Sequence, residues 1–263
     1  MHDSRVQWIG DAARALLDAE RDRIPVPTLS GTRPDFDLED AYRVQAAVIA
    51  QRISAGSRVV GHKAGATSKA MQEQMGVDEP DSGVLLDDMR VPTGAPLVRK
   101  DLLLPRVEAE IAFTLGRDLS GPDVTMADAQ GAVSEVCLAL EVIDTRYSSW
   151  HITVADSIAD NASCARFVTG PLIPRDPAVD LAAETLVVSI NGQAVVTGEG
   201  RAVLGNPYRP VVWLARRLAA HGGGLKAGDL ILAGSVHASI PLDGTCIVRV
   251  HSAHLPAAEL RVA

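Results

Sequence analysis

The segment PRVEAEIAFTLGRDL, residues 105–119, constrains this chain more than any other. Read as a strand, it sends Val107, Ala109, Ile111, Phe113 and Leu115 to one face and Glu108 and Glu110 to the other. At about 3.3 Å per residue, the two carboxylates stand roughly 7 Å apart along the backbone. A second strand-like run, CLALEVIDTR from Cys137 to Arg146, carries Glu141 and Asp144 in equally apolar company. Ionised carboxylates are costly to bury unless they are paired or bind a metal. Three or four of them on apolar strands point to an all-oxygen site for a hard divalent ion such as Mg2+ or Mn2+. The wet face of an edge strand accommodates Glu108 and Glu110 equally well, and spacing alone leaves both readings open.

The stretches around these strands alternate between helix and strand without βαβ regularity. Residues 4–20 place Val6, Ile9, Ala13, Leu16 and Leu17 at helical spacing. Residues 23–37 hold three prolines and a glycine and read as irregular connection. A second helix follows, with Asp37 as N-cap, Glu39 and Asp40 in its first turn and Gly56 as its stop. Val59 and Val60 lead as a short strand into a turn flanked by Gly61 and Gly65, with Lys63 inside it as either a solvated charge or a ligand contact. The spacing is not that of a phosphate loop. Thr67 or Ser68 is placed to cap a short helix through Met75.

Thr125 with Asp128 opens a helix to about Val136, and Tyr147–Ala159 runs over the surface or covers a site. Asp160, Asn161 and Ser163 read as turn formers or as ligand contacts. Asn191-Gly192 between alternating runs predicts a tight hairpin. Residues 205–224 form a helix that tolerates Pro210 in its first turn, and strands follow at DLILAG, TCIVRV and ELRVA. The fold class is α+β with a largely antiparallel or mixed sheet.

Charge and composition narrow the partners. A net charge of −8 argues against nucleic acid, whereas a metal or a few local cations can still hold a small anion. No run reaches the ~20 apolar residues of a membrane span, and no secretory signal is evident at the start. Cys137, Cys164 and Cys246 are dispersed, which fits thiols in a reducing, cytoplasmic setting. No G-x-S-x-G elbow or H-E-x-x-H cluster exists. His237, after a predicted strand, faces either a pocket or ordinary core.

The motifs GHKAGATSKAMQEQMGVDEPDSGVL, PRVEAEIAF, ALEVIDTRY, VADSIADNASCARFVTG, AVLGNPYRPVVWLARRL and LKAGDLILAGS, in this order, resemble the hydratase and decarboxylase branch of the fumarylacetoacetate hydrolase superfamily. The resemblance implies a helical part over 1–57, a mixed β-sandwich or β-roll over 58–263, an Mg2+ or Mn2+ ion and a homo-oligomer. It implies Glu108, Glu110 and Glu141 as metal ligands, Lys63 and Asp81 as catalytic residues, and Ser163, Arg166 and His237 in the substrate pocket. Lys63, with a pKa lowered near the ion, would pass protons, and Asp81 would activate water. The implied activity is hydration of a 2-hydroxy-2,4-dienoate, with an aldolase or decarboxylase as a partner enzyme. The alternatives are decarboxylation of a 2-oxo-3-enedioate, favoured by Tyr147 and Arg166, a divergent biosynthetic substrate, and a non-catalytic relative, suggested by Ser82 and His237.

Overall fold

Apolar alternation builds two sheets whose inner faces share one core. The computed structural model describes residues 2–68, 72–73, 77–92 and 94–263. The chain opens with helices α1 (His2–Asp22), α2 (Leu29–Thr32) and α3 (Leu38–Ser54). Strands β1 (Val59–Gly65), β2 (Asp81–Leu86), β3 (Pro96–Leu97) and β4 (Arg106–Leu115) precede helix α4 (Met126–Ala132) and strand β5 (Val133–Ile143). Helix α5 (Val154–Ala159) leads into β6 (Cys164–Thr169), β7 (Ile173–Pro174), β8 (Thr185–Ile190) and β9 (Gln193–Glu199). Helix α6 (Tyr208–Ala220) is followed by β10 (Leu230–Ser235), β11 (Ile240–Pro241), β12 (Cys246–His251) and β13 (Ala258–Val262).

The larger sheet runs β2-β1-β10-β4-β5-β6, with β11 beside β4 and β7 beside β5; the smaller runs β3-β13-β12-β8-β9. β1 pairs β10 in parallel, as β13 does β3, and the other pairings are antiparallel, so the sheets are mixed and the class is α+β. Ile111 and Phe113 of β4 and Leu138 and Leu140 of β5 join Leu186, Val188, Val248 and Leu260 of the smaller sheet in one core. The opposite face of the larger sheet packs Ala112, Cys137, Ala139 and Phe167 against Leu85, Leu86, Met89 and Ile49 of α3. There α1 and α3 pack on α5 through Ala13, Leu16, Val44 and Ile158. Glu108 and Glu110 therefore point toward the helical side, away from the sandwich core.

Local chemistry sets the boundaries. The Asp37 carboxylate accepts from Asp40 N at 2.9 Å, and Gly56 takes φ 114° just beyond α3. Asn191 and Gly192, with φ 51° and 83°, make the left-handed pair that joins β8 to β9. Thr125 and Asp128 form the expected capping box, but α4 ends at Ala132 rather than near Val136. Val133 and Val136 belong to β5, where β-branched side chains pack well on a pleated face. The connection at 23–37 holds the short α2, capped by Thr28. The helix expected through Met75 falls largely outside the described residues. No helix among the described residues is long and apolar enough to cross a membrane.

Candidate metal centre

Strand register brings the carboxylates together. β4 and β5 pair with Glu108 directly opposite Glu141, and Glu110 two positions along the same face. One oxygen from each of the three lies within 4.8 Å of the other two. Glu110 and Glu141 are buried, and Glu108 is half-buried. Glu110 Oε2 accepts from Gly234 N at 2.6 Å, but Glu110 Oε1 and Glu141 Oε1 have no hydrogen-bond partner among the described residues. Leaving such oxygens bare costs about 1–3 kcal/mol each, more when they are charged. An all-oxygen set with unfilled lone pairs fits a divalent cation, the partner that removes both the repulsion and the missing bonds.

Lys63 and Asp81 close the cluster from β1 and β2. Lys63 Nζ is 3.4 Å from Glu141 Oε1. The strands pair Lys63 with Gly83 and Gly65 with Asp81. A Cβ at Gly65 would meet Asp81 Oδ1 at 2.2 Å, and one at Gly83 would meet Asn161 O at 2.7 Å and Lys63 Cγ at 3.1 Å. Those two glycines make room for the two polar side chains. Burial works against the Lys63 charge, but Glu141 and Asp81 outweigh it and raise its pKa. The expected lowering concerned Lys63 beside a bound cation, which would act in the opposite direction to these carboxylates. Burial raises the Asp81 pKa despite Lys63 nearby.

Ser163 joins the same site through a strained turn. Asn161, Ala162 and Ser163 have φ of 55°, 50° and 59°, a left-handed conformation costing roughly 1–2 kcal/mol per residue. The Asn161 side chain fastens this turn to β2, accepting from Val84 N at 2.8 Å and donating to Val84 O at 2.9 Å. Ser163 Oγ lies 3.3 Å from Ser157 Oγ. Both serines line a cavity of about 610 Å³ that opens over Lys63, Asp81 and Glu108. Trp150, Ile152 and Val154 give that cavity an apolar wall, so the 147–159 stretch does cover a site, although Tyr147 itself is fully buried.

Two expected pocket residues lie elsewhere. Arg166 is absent from the cavity lining: it faces α1, where Nη1 is 3.2 Å from Glu20 Oε1. His237 donates from Nδ1 to Ala238 O at 2.7 Å and accepts at Nε2 from Ala109 N at 3.1 Å, so its ring is spent on backbone. Burial lowers its pKa, which suits that neutral tautomer. Asp144, the fourth acidic residue, accepts from Leu103 N and Leu104 N at 2.8 and 2.6 Å and is structural. Arg106 was missed. It shares the face of Glu108 and Glu110, lines the cavity, and donates to Ser239 Oγ and Ser239 O at 2.7 Å each.

The cluster dictates a pH dependence. Burial first, then Glu141, push the Glu108 carboxyl up to about 7, and burial, Glu141 and Glu108 raise Glu110 well above the usual range. Such groups bind more protons folded than unfolded. The Glu108 contribution to the stability of the metal-free chain therefore falls as pH rises from the unfolded value, about 4.5, through about 7, and Glu110 pulls in the same direction. A cation needs the ionised oxygens. Calorimetric Mn2+ titrations should show affinity rising from about pH 6 to 8, with added Mn2+ raising the melting temperature most at the alkaline end. An affinity flat across that range would contradict the cluster's electrostatics.

Comparisons with known proteins find similarity over most of the chain. The family model for the fumarylacetoacetate (FAA) hydrolase C-terminal region matches residues 54–262. The chain is 43% identical over 228 residues to a 2-keto-4-pentenoate hydratase of Paraburkholderia xenovorans (strain LB400), covering 86% of this chain and 84% of that one. It is 40% identical over 237 residues to a 2-hydroxyhexa-2,4-dienoate hydratase of Comamonas testosteroni, covering 89% and 90%. Its structure resembles that of 4-oxalocrotonate decarboxylase from Pseudomonas putida G7, complexed with magnesium and adipate, with a TM-score of 0.94, 32% identity and 98% of each chain covered.

Proposed function

The chain belongs to the fumarylacetoacetate hydrolase family, and from that premise we propose that it is a lyase, dependent on Mg2+ or Mn2+, that adds water to a 2-hydroxy-2,4-dienoate to give a 4-hydroxy-2-oxo acid. The observation that carries this reading is the convergence of three carboxylates from two neighbouring strands beside Lys63 and Asp81, with Glu108, Lys63 and Asp81 lining a cavity that has an apolar wall. Its similarity to a 2-keto-4-pentenoate hydratase and a 2-hydroxyhexa-2,4-dienoate hydratase supports the choice of reaction.

Glu108, Glu110 and Glu141 would hold the ion, which when bound supplies Lewis-acid polarisation of the carboxylate and 2-oxygen of a 2-oxo acid. The reaction needs two proton movements. The enol O–H proton leaves as carbon 5 gains one, and then water adds at carbon 4 while carbon 3 takes a proton. Lys63 Nζ, on the cavity lining, gives its proton to carbon 5 and recovers the enol O–H proton. Asp81 takes the proton of the attacking water and returns it to carbon 3, and its burial-raised pKa makes it a stronger base than an exposed carboxylate. Ser163 orients the substrate, and Trp150, Ile152 and Val154 limit bulk water around its tail.

Arg106 favours a second reading, in which the substrate carries another carboxylate at its far end. Among the described residues no carboxylate pairs with this guanidinium, and Ser239 holds it at the cavity. That chemistry includes 2-oxo-3-enedioates, which lose CO2. The assay is ultraviolet decay of 2-hydroxypenta-2,4-dienoate and of its dicarboxylate analogues with Mg2+ or Mn2+, with CO2 release and 18O incorporation from labelled water measured together. Water incorporation without CO2 supports hydration, and no turnover of any dienoate or enedioate removes the proposal. Under the second reading Arg106→Gln raises KM for a dicarboxylate by about tenfold, the ~1.4 kcal/mol of one charge-assisted bond, while a monocarboxylate is little affected.

A further inference from the structure

The ladder between β4 and β10 breaks where the carboxylates stand. β10 pairs β4 through Leu232 opposite Ala112, shifts register before Ser235 opposite Glu110, and pairing resumes in β11 with Ile240 opposite Val107. Ala109, between Glu108 and Glu110, accepts from Val236 N at 3.1 Å. Its backbone therefore points toward the β10–β11 connection and away from β5, because successive residues of a strand bond to opposite sides. The 3.1 Å bond from Ala109 N goes to an imidazole nitrogen, where an unbroken ladder would offer a carbonyl. Ser235 Oγ donates to His237 O at 2.7 Å and ties the connection into a compact turn around the ring.

We infer that His237 is a positioning residue, whose Nε2 replaces the missing strand carbonyl at Ala109 and so keeps the Glu108 and Glu110 carboxylates converging with Glu141. The inference rests on the proposed cation site. Its chemistry is that of an acceptor alone: Nδ1 is committed to Ala238 O, so Nε2 presents its lone pair to the amide. A side chain without an acceptor leaves that N–H unpaired, and the strand can then rotate the two carboxylates out of register. Glutamine places its carbonyl oxygen at about the reach of Nε2 and restores the bond, whereas leucine fills the space without accepting.

The test is the Mn2+ dissociation constant of His237→Leu and His237→Gln, measured by titration of free Mn2+ in the electron paramagnetic resonance spectrum. Loss of a supporting bond of this kind weakens metal affinity by about 10–100-fold, the expected result for leucine, while glutamine stays within about threefold of the parent. Parent-like affinity with leucine overturns the inference. Equal weakening by both variants also overturns it, since the ring would then act other than as an acceptor. If the leucine variant does not fold, the unaltered chain decides: 15N spectra must show His237 neutral with its proton on Nδ1, and a proton on Nε2 refutes the assignment. A Glu108→Ala chain that binds Mn2+ like the parent would remove the cation site itself, whatever the His237 tautomer.

Discussion

Glu110→Gln is expected to lower kcat/KM for the dienoate by about 1,000-fold or more, a loss of ~4 kcal/mol in transition-state stabilisation, while making the metal-free protein more resistant to heat. Glutamine keeps an oxygen for Gly234 N, which donates to Glu110 Oε2 at 2.6 Å, so the backbone contact survives. What disappears is a fully buried carboxyl that, without a cation, must either hold a repelled charge or take up a proton, since burial and then Glu141 and Glu108 raise its pKa. Removing that repulsion stabilises the empty cluster, by about 1 kcal/mol or a few degrees of Tm on the scale of single substitutions at strained functional sites. A stable, inactive protein that no longer binds Mn2+ is the expected combination. Retained turnover, or a lower Tm in the absence of metal, would show that Glu110 is a structural acid in a satisfied network.

Alternation carried the sequence reading part of the way to this cluster. It put Glu108 and Glu110 on one face, and β4 does so. The same period places Arg106 on that face, and the signal was available; attention to the acidic residues alone passed over it. Glu141 is different, because pairing register depends on how β4 and β5 meet and no local pattern states it. Lys63 falls in a stretch that reads as a glycine-flanked turn but lies on β1, Asp81 opens β2, and only family resemblance assigned the two a catalytic role. Arg166 and His237 carry the right functional groups, but Glu20 on α1 and the backbone of Ala109 claim them, and both claims are long-range. The α4 boundary moved because sheet packing of Val133 and Val136 outweighed a helical pattern.

Arg146→Met should destabilise the fold by about 3–5 kcal/mol, the cost of stranding one partner of a buried ion pair. Arg146 is the support behind the strained turn. Its Nε bonds the Asp160 carboxylate, its Nη2 donates to Asp160 O at 2.8 Å, and its amide donates to Asp160 Oδ2 at 3.0 Å. Both side chains are at most 5% exposed. Burial pushes Asp160 up to about 6 even with Arg146 opposing it, so without the guanidinium the carboxyl must take up a proton or draw in water. Asp160 immediately precedes the left-handed residues 161–163, whose conformation persists only while its surroundings hold it. The melting temperature should fall by ~10 °C, and activity measured well below the new Tm should drop as Ser163 leaves the cavity wall. Arg146→Met/Asp160→Leu, which removes both charges, should recover a large part of the stability because no buried charge is left unpaired. A single variant that melts within about 2 °C of the parent would mean that water already reaches this pair and that the turn is held by Asn161 and β2 alone.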